Sequence, residues 1–275
     1  MRLNKIMQTI ATYSTMNTNL AVDDATYSED EAMELLSIRN LTVSFDGVKA
    51  VNDLSLTIDE KELRVIIGPN GAGKTTLLDM ICGKTKATSG SIRFRGLELT
   101  KMPEFKIVRA GVGRKFQNPS IYDDLTVREN LEISIPESHG AWASVFFRRT
   151  QRVRERIEAV AEQIMLCDQL HTKSGKLSHG QKQWLEIGML LVQDPDLLLL
   201  DEPVAGMSPR ERELTGELLR SIARGKSLIV IEHDMDFVKA IASKVTVLHQ
   251  GRLLTEGSVE QVQSDPRVIE VYLGH

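Results

Sequence analysis

Two patterns of hydrophobic and polar positions divide the chain. Between residues 35 and 58, apolar and polar positions alternate in short runs around a turn at Asp46 and Gly47, which is typical of antiparallel strands. In the second half, uninterrupted apolar runs at residues 197–200 and 228–231 are separated by segments with helical periodicity. Continuous apolar strands between helices indicate a parallel sheet that is covered on both faces. The sequence therefore predicts an α/β fold, in which helices flank a parallel sheet and an antiparallel β subdomain is added.

The remaining segments differ from both patterns. Residues 118–185 have mainly helical periodicity, and Thr126 and Glu129 have the spacing of a capping box, so we expect an inserted helical subdomain in this region. Residues 1–34 are polar and lack a clear period, which predicts a disordered or loosely ordered N-terminal extension. Whether this extension is functional or translation starts at an internal methionine stays open. The folded domain is expected to comprise residues 35–275.

A glycine-rich loop lies between an apolar run at residues 63–67 and a segment with helical periodicity. Its spacing, G-x-x-x-x-G-K-T, is that of a phosphate-binding loop, whose backbone N–H groups and following helix start surround a polyphosphate. Lys74 would reach the β- and γ-phosphates, and the Thr75 hydroxyl would help to hold Mg²⁺. A glycine-rich turn that matches by chance is the alternative, which the flanking strand and helix disfavour. The expected nucleotide-binding residues of the loop are Gly68, Pro69, Asn70, Gly71, Ala72, Gly73, Lys74, Thr75 and Thr76.

Two carboxylates, Asp201 and Glu202, follow the apolar run at residues 197–200. In a parallel sheet, the carboxyl end of this strand lies on the same edge as the phosphate-binding loop. Asp201 could then hold Mg²⁺ through water, and Glu202 could take a proton from an attacking water molecule. An acidic strand end that faces solvent is the alternative. We therefore expect the chain to bind a nucleoside triphosphate and Mg²⁺.

A second helix start that could bind phosphate occurs at Ser178. Ser178 and Gln181 have the S-x-x-Q spacing of a capping box. The serine oxygen can accept from the helix backbone and still donate its own O–H to a phosphate. An ordinary helix cap is the alternative. A second such helix start in the chain suggests a second side for the same nucleotide.

The order of these elements resembles that of the ATP-binding subunits of ABC transporters. The elements are the glycine-rich loop, Gln117, the residues L-S-H-G-Q at 177–181, the residues L-L-L-L-D-E at 197–202, and His233. The resemblance covers about residues 36–273 and implies the ABC ATPase fold and ATP hydrolysis. It also implies that two subunits pair head to tail, so that each closes on the nucleotide held by the other.

The resemblance implies a catalytic group and a metal site. Glu202, His233 and Gln117 would be catalytic, with His233 at the γ-phosphate and Gln117 sensing Mg²⁺ and nucleotide. Thr75, Gln117 and Asp201 would surround the metal. Taken alone, Gln117 could be a surface glutamine and His233 a histidine at a helix start without a ligand; the order of the elements favours the functional roles.

The resemblance also implies contacts that this chain makes with other parts of a nucleotide. Ser178, Gly180 and Gln181 would act in trans, on the nucleotide of the paired subunit. Phe45 lies where the family has an aromatic residue that stacks on adenine, although a buried position in the core of a strand is the alternative.

Three residues depart from the family pattern. His179 replaces the second glycine of the signature, so its side chain must point away from the phosphate of the partner. Ser208 replaces an aspartate and, with Glu211 three residues later, has the spacing of a helix cap, which leaves a contact in trans in doubt. Lys61 stands where a turn glycine is usual, and we expect local strain if its φ is positive.

Residues 111–117 and 232–235 resemble those of branched-chain amino-acid-type importers. Within that group, residues 177–191, 201–207 and 268–274 resemble the ATP-binding subunit of urea importers. The expected function is therefore ATP hydrolysis that powers urea import. The same role in a branched-chain amino-acid importer is the first alternative, and a soluble ATPase of DNA repair or translation control is a further one.

Net charge and hydropathy limit the classes of partner that we expect for this chain. The net charge of −4 gives no support for nucleic-acid binding, and no apolar run is long enough to cross a bilayer. We therefore expect a peripheral protein on the cytoplasmic side of the cell membrane. The resemblance implies three partners: integral membrane permease subunits, a second ATP-binding subunit that is identical or a sister, and, indirectly, an extracytoplasmic solute-binding protein.

Overall fold

The computed structural model describes residues 34–115, 121–135 and 150–273 of the chain. The smaller of two sheets is antiparallel. Its strands are β1 (Glu34–Phe45), β2 (Val48–Asp59), β4 (Ser89–Phe94) and β5 (Leu97–Glu98). Within the described residues, their order in the sheet is β2-β1-β4-β5. This sheet is the antiparallel layer that the alternating pattern predicts.

The larger sheet is mainly parallel. Its strands are β3 (Leu63–Ile67), β6 (Val112–Arg114), β7 (Leu197–Asp201), β8 (Ser227–Ile231), β9 (Lys244–His249) and β10 (Arg252–Gly257). The strand order is β10-β9-β3-β8-β7-β6. Neighbours from β9 to β6 are parallel, and β10 is antiparallel to β9. The uninterrupted apolar runs thus form the central strands, and the predicted fold class is confirmed.

Helices connect the strands and cover the larger sheet. They are α1 (Lys74–Ile81), α2 (Glu104–Arg109), α3 (Val127–Ile133), α4 (Gln151–Gln163), α5 (His179–Leu191), α6 (Pro209–Ala223), α7 (Met235–Ile241), α8 (Val259–Ser264) and α9 (Pro266–Leu273). Capping boxes begin α3, α5, α6 and α8 at Thr126, Ser178, Ser208 and Ser258. The caps predicted from the sequence at Thr126, Ser178 and Ser208 are therefore confirmed.

Alternate residues of the central strands face two different hydrophobic clusters. In β7, Leu198 and Leu200 belong to a cluster that includes residues of α3 to α9, whereas Leu197 and Leu199 belong to a cluster that includes α1 and the antiparallel sheet. All four leucines are fully buried. Because each buried leucine contributes about 1.5–3 kcal/mol, an apolar side chain is favoured at every position of the strand.

The helical region between β6 and β7 packs onto the first of these clusters. Ile157, Val160 and Ala161 of α4 and Leu131 of α3 are buried there beside residues of α5. The helical periodicity expected in this region is therefore observed in α3 and α4. The limits of a separate helical subdomain, at about residues 118–185, stay a prediction.

Several elements differ from the sequence-based expectations. The strands β6 and β10 and the helix α2 were not expected, and neither was the division of residues 259–273 into two helices, α8 and α9. Asp265 separates them with an extended backbone, and Pro266 begins α9. Proline lacks an N–H and disfavours a helical conformation in the preceding residue, which explains the break. Lys61 has a φ of 59°, as expected for the glycine position that it occupies.

Two of the expectations fall outside the described residues. Residues 1–33 of the expected N-terminal extension (1–34) and Gln117 are not among them; β1 begins at Glu34. In the described ranges, none of the helices combines the length and the apolar character that crossing a bilayer requires.

A buried arginine links strands of both sheets. Arg64 in β3 is 1% exposed and donates to Glu256 Oε2 (2.9 Å), Thr246 Oγ1 (2.8 Å) and the carbonyl oxygen of Thr57 (3.1 Å). It also forms an ion pair with Glu62. The guanidinium group thus joins β2, β3, β9 and β10 by charge-assisted hydrogen bonds.

We expect Arg64→Ala to lower the free energy of unfolding by about 3 kcal/mol or more, since it leaves Glu62 and Glu256 without their buried cation. Denaturant unfolding of the two proteins measures the difference. Arg93→Ala is the control, because the ion pair of Arg93 with Glu98 is half exposed and 3.5 Å long; its loss should cost below about 1 kcal/mol. Equal losses in the two variants would contradict a structural role of the Arg64 network.

Candidate functional site

The glycine-rich loop runs from the end of β3 to the start of α1. Gly73 precedes the helix and has a left-handed backbone, φ 97°. Because glycine has no side chain, α1 begins without a side-chain cap. Lys74 Nζ donates to the carbonyl oxygens of Gly68 (2.7 Å) and Pro69 (3.0 Å), which holds the ammonium group against the loop. An uncapped helix start beside a cation is an arrangement that favours a polyphosphate.

Two neighbouring segments hold this loop in place. A Cβ atom at Gly73 would lie 2.4 Å from the carbonyl oxygen of Ala50 in β2, so only glycine fits this contact and the positive φ together. In addition, the N–H of Gly251, in the turn between β9 and β10, donates to the carbonyl oxygen of Ala72 (3.1 Å). The loop is therefore fixed by backbone contacts that do not involve the groups facing a ligand.

The loop shares one cavity with the carboxyl end of β7. The cavity has a volume of about 390 Å³. Its lining residues are Ala50, Asn70, Gly71, Ala72, Gly73, Lys74, Thr75, Thr76, Asp201, Glu202 and Ile231. Most of the residues expected from the loop and from the strand end are thus brought together.

Burial shifts the pKa values of two groups that line the cavity, Asp201 and Lys74. Asp201 is 8% exposed, and burial raises its pKa, against which a hydrogen bond from the Thr75 side chain acts. Burial lowers the pKa of Lys74, an effect that the charges of Glu202 and Asp201 oppose. The cavity therefore combines a partly desolvated cation with carboxylate and hydroxyl oxygens, which are ligands that Mg²⁺ prefers.

Glu202 and His233 lie side by side at this edge of the sheet. His233 Nδ1 is 3.5 Å from Glu202 Oε1, and both side chains are substantially exposed. Glu202 has a φ of 48°, a left-handed conformation that is uncommon for a residue with a Cβ atom, and its N–H donates to the carbonyl oxygen of Ile231 (3.0 Å). Such strain costs about 1 kcal/mol or more. The carboxylate can reach water, as a base requires.

A carboxylate that the sequence analysis missed holds His233 and the segment that follows Glu202. Glu232 is 1% exposed and accepts hydrogen bonds from the N–H groups of Val204 (3.4 Å) and His233 (3.2 Å). Burial raises its pKa, and these hydrogen bonds act against the rise. Its place at the end of a buried strand, directly before His233, is the signal that could have indicated it.

The second helix start lies outside this cavity. Ser178 caps α5, accepting from the N–H of Gln181 (3.2 Å), and Gln181 Oε1 accepts from the N–H of Ser178 (2.9 Å). His179 Nε2 is 3.0 Å from the carbonyl oxygen of Ala205, so this nitrogen carries the proton. The expected cap at Ser208 is also formed, with Glu211 accepting from its N–H (2.9 Å).

The expected residues thus fall into two groups. The loop residues, Asp201, Glu202 and His233 meet at one edge of the larger sheet, whereas Ser178, Gly180 and Gln181 lie at the start of α5 and do not line the cavity. Phe45 is 50% exposed at the end of β1, so the alternative of a buried core residue is wrong.

A family model described as "ABC transporter" matches residues 51–205. The chain belongs to the ABC transporter family. A second model, described as "Branched-chain amino acid ATP-binding cassette transporter", matches residues 252–275. These matches confirm the ATP-binding subunit expected from the sequence: the chain is an ABC ATPase whose ATP hydrolysis is coupled to transport.

Named relatives and solved structures agree with this assignment. The chain is 37% identical over 255 residues to the high-affinity branched-chain amino acid transport ATP-binding protein BraF of Pseudomonas aeruginosa, covering 87% of this chain and 98% of that protein. It is 35% identical over 249 residues to LivG of Escherichia coli K12, with the same coverage, 87% and 98%. A crystal structure of an ATP-binding cassette of an ABC transporter in its ADP conformation matches with a TM-score of 0.78 and 30% identity, over 88% of this chain and 100% of that chain.

These relatives narrow the transporter group. The chain is an ATP-binding subunit of the LivG and BraF group of ABC importers, as the sequence resemblance implied at the level of the group. The more specific expectation, that the transported substrate is urea, is not supported, because both relatives are named for branched-chain amino acid transport. ABC ATPase subunits of transporters work with membrane permease components, so a permease partner follows from the family.

We expect Gly73→Ala to destabilise the protein by about 3 kcal/mol, because a Cβ atom would clash with the Ala50 backbone in addition to the cost of the positive φ. Gly47→Ala is the matched control: Gly47 has a φ of 88° and open space around its Cβ position, so only about 1 kcal/mol is expected. Thermal unfolding compares the two. A Gly47→Ala loss as large as that of Gly73→Ala would show that φ alone, and not the contact with β2, requires glycine.

Proposed function

We propose that the cavity between the glycine-rich loop and β7 binds the phosphates of ATP, and that Glu202 activates the attacking water. The observation that supports this most directly is the convergence of Lys74, Asp201 and Glu202 on one cavity. Glu202 is accessible to water, whereas Asp201 is buried. His233, beside Glu202, would contact the γ-phosphate, where its N–H could stabilise developing charge.

Thr75 and Asp201 would hold Mg²⁺, with Gln117 as the further metal-sensing residue expected from the family. A hydroxyl and a carboxylate beside a phosphate site fit this ion, which uses few protein ligands and completes its shell with water and phosphate oxygens. When bound, Mg²⁺ neutralises charge on the β- and γ-phosphates. Phe45, exposed at the end of β1, would stack on the adenine base.

Ser178, Gly180 and Gln181 would act on the nucleotide of a second subunit. Two features favour this: they form a helix start that can face a phosphate, and they lie apart from the cavity of their own chain. A head-to-tail pair, identical or with a sister subunit, would bring each helix start to the γ-phosphate held by the other subunit. ATP would then bring the subunits together, and hydrolysis would release them.

Glu202→Gln is expected to lower ATP hydrolysis by at least about a hundredfold, because the amide cannot take the proton from water. It should also trap an ATP-bound pair of subunits. Phosphate release measures the first effect, and light scattering with and without ATP the second. Glu217→Gln, which changes an exposed carboxylate of α6, is the control and should hydrolyse ATP normally. A Glu202→Gln protein that stays monomeric with ATP would contradict the pairing.

The transported substrate is proposed from the relatives. Both are named for branched-chain amino acid transport, so we propose that the chain powers the import of branched-chain amino acids, peripherally bound to permease subunits on the cytoplasmic side of the membrane. An extracytoplasmic solute-binding protein would deliver the substrate to those subunits. Residues of the nucleotide cavity would not contact the transported molecule.

In cells that lack this gene, we expect the uptake of labelled leucine at low concentration to fall and the native chain to restore it. The Glu202→Gln chain should not restore it, because uptake would depend on hydrolysis. Labelled urea is measured in parallel. Loss of urea uptake with normal leucine uptake would keep the ATP-driven mechanism and assign urea as the substrate instead. If the uptake of both solutes stays normal, the chain has no role in importing either of them.

A further inference from the structure

One carboxylate joins the start of α5 to the start of α6. Glu211 Oε1 accepts from the hydroxyl of Ser178 (3.2 Å), and Glu211 Oε2 accepts from the N–H (2.9 Å) and the hydroxyl (2.8 Å) of Ser208. The side chain also packs over the first turn of α5, since a Cβ atom at Gly180 would lie 2.4 Å from Glu211 Oε1. The two helix starts are therefore held together by a single side chain.

The Glu211 carboxylate is negatively charged at neutral pH. Hydrogen bonds from the Ser208 backbone and side chain hold its pKa below its usual range, with a further contribution from Ser178. His179 lies close enough to lower this pKa as well. A full negative charge therefore stands 3.2 Å from the hydroxyl oxygen of Ser178.

This contact uses the only proton that the serine can donate. Ser178 Oγ accepts from the N–H of Gln181 and donates its O–H to Glu211. A hydroxyl has one donor, so Ser178 cannot also donate to a phosphate while it is bonded to Glu211. A phosphate that approached Ser178 would also meet a like charge behind it.

We propose that Glu211 is a positioning residue that holds Ser178 away from the nucleotide of the paired subunit and thereby sets the ATP concentration at which two subunits close. Closure requires the Ser178 hydroxyl to leave Glu211 and turn to the γ-phosphate. Glu211 thus opposes pairing while it stabilises the start of α6. This inference rests on the head-to-tail pairing that is proposed above.

The test uses the full chain with Glu202→Gln, in which ATP-bound pairs accumulate. We compare this protein with the double variants Glu202→Gln/Glu211→Gln and Glu202→Gln/Glu129→Gln. Glutamine still caps a helix at this position, as it does at Gln181 and Gln261 of this chain, so the caps are retained. Glu129→Gln is the matched control, since Glu129 completes the capping box of α3.

Light scattering across an ATP titration gives the concentration of half-maximal pairing. We expect Glu211→Gln to lower it about tenfold, because a like charge is removed near each nucleotide, and Glu129→Gln to leave it unchanged. Added salt should narrow the difference, since it screens repulsion, whereas the loss of a cap would not respond in this way. Glu211→Ala, which lacks both the charge and the cap, should shift the concentration in the same direction.

The outcomes separate the two proposals. Pairing of the Glu211→Gln variant at the same or a higher ATP concentration than the Glu202→Gln parent overturns the role of Glu211, while the proposed pairing stands. The absence of ATP-dependent pairing in every protein refutes the head-to-tail arrangement and this inference with it. Equal unfolding temperatures of the Glu211→Gln and Glu129→Gln variants show that a shift does not reflect a loss of folding.

Discussion

The register of three parallel strands is the constraint on which the site depends. Ile231 of β8 lies opposite Asp201 of β7 on one side and opposite Ile66 of β3 on the other. This register makes the three strands end at the same edge, where β3 leads into the glycine-rich loop and β8 into Glu232. A shift by one residue would turn every side chain of a strand to the opposite face and bury a different set. The apolar residues on both faces of the sheet therefore fix the position of the chemical groups at its edge.

The edge concentrates carboxylates that require nearby cations. Asp201 and Glu232 are buried, and burial raises the pKa of both. The charge of Arg114 lowers the pKa of Asp201. Burial lowers the pKa of Lys115, and the nearby charges of Asp201 and Glu232 act against that effect. Lys115 also forms a buried ion pair with Glu186 of α5 (3.2 Å). The charges at the strand ends are thus electrostatically connected to the helix that begins at Ser178.

Local signals predicted most of the fold, and tertiary contacts account for what was missed. The apolar runs at residues 197–200 and 228–231 lie in β7 and β8, and α6 begins at the cap expected from Ser208 and Glu211. By contrast, β10 has no fully buried residue and is a strand because it pairs with β9. Glu232 and Glu211 gain their importance from partners far along the chain, Val204 and Ser178, which spacing alone does not reveal. Likewise, hydrophobic periodicity did not indicate that the Phe45 side chain is half exposed.

The short segment between β7 and α6 connects the two halves of the site directly. At its start, the N–H of Val204 is held by Glu232, the carboxylate that also holds the N–H of His233. In its middle, Ala205 contacts His179, and at its end Ser208 shares Glu211 with Ser178. A displacement of this segment must therefore change contacts on both sides. Because coupling between sites requires an element that both sites bias, this segment can link hydrolysis to the proposed pairing through direct contacts, without a path through the core.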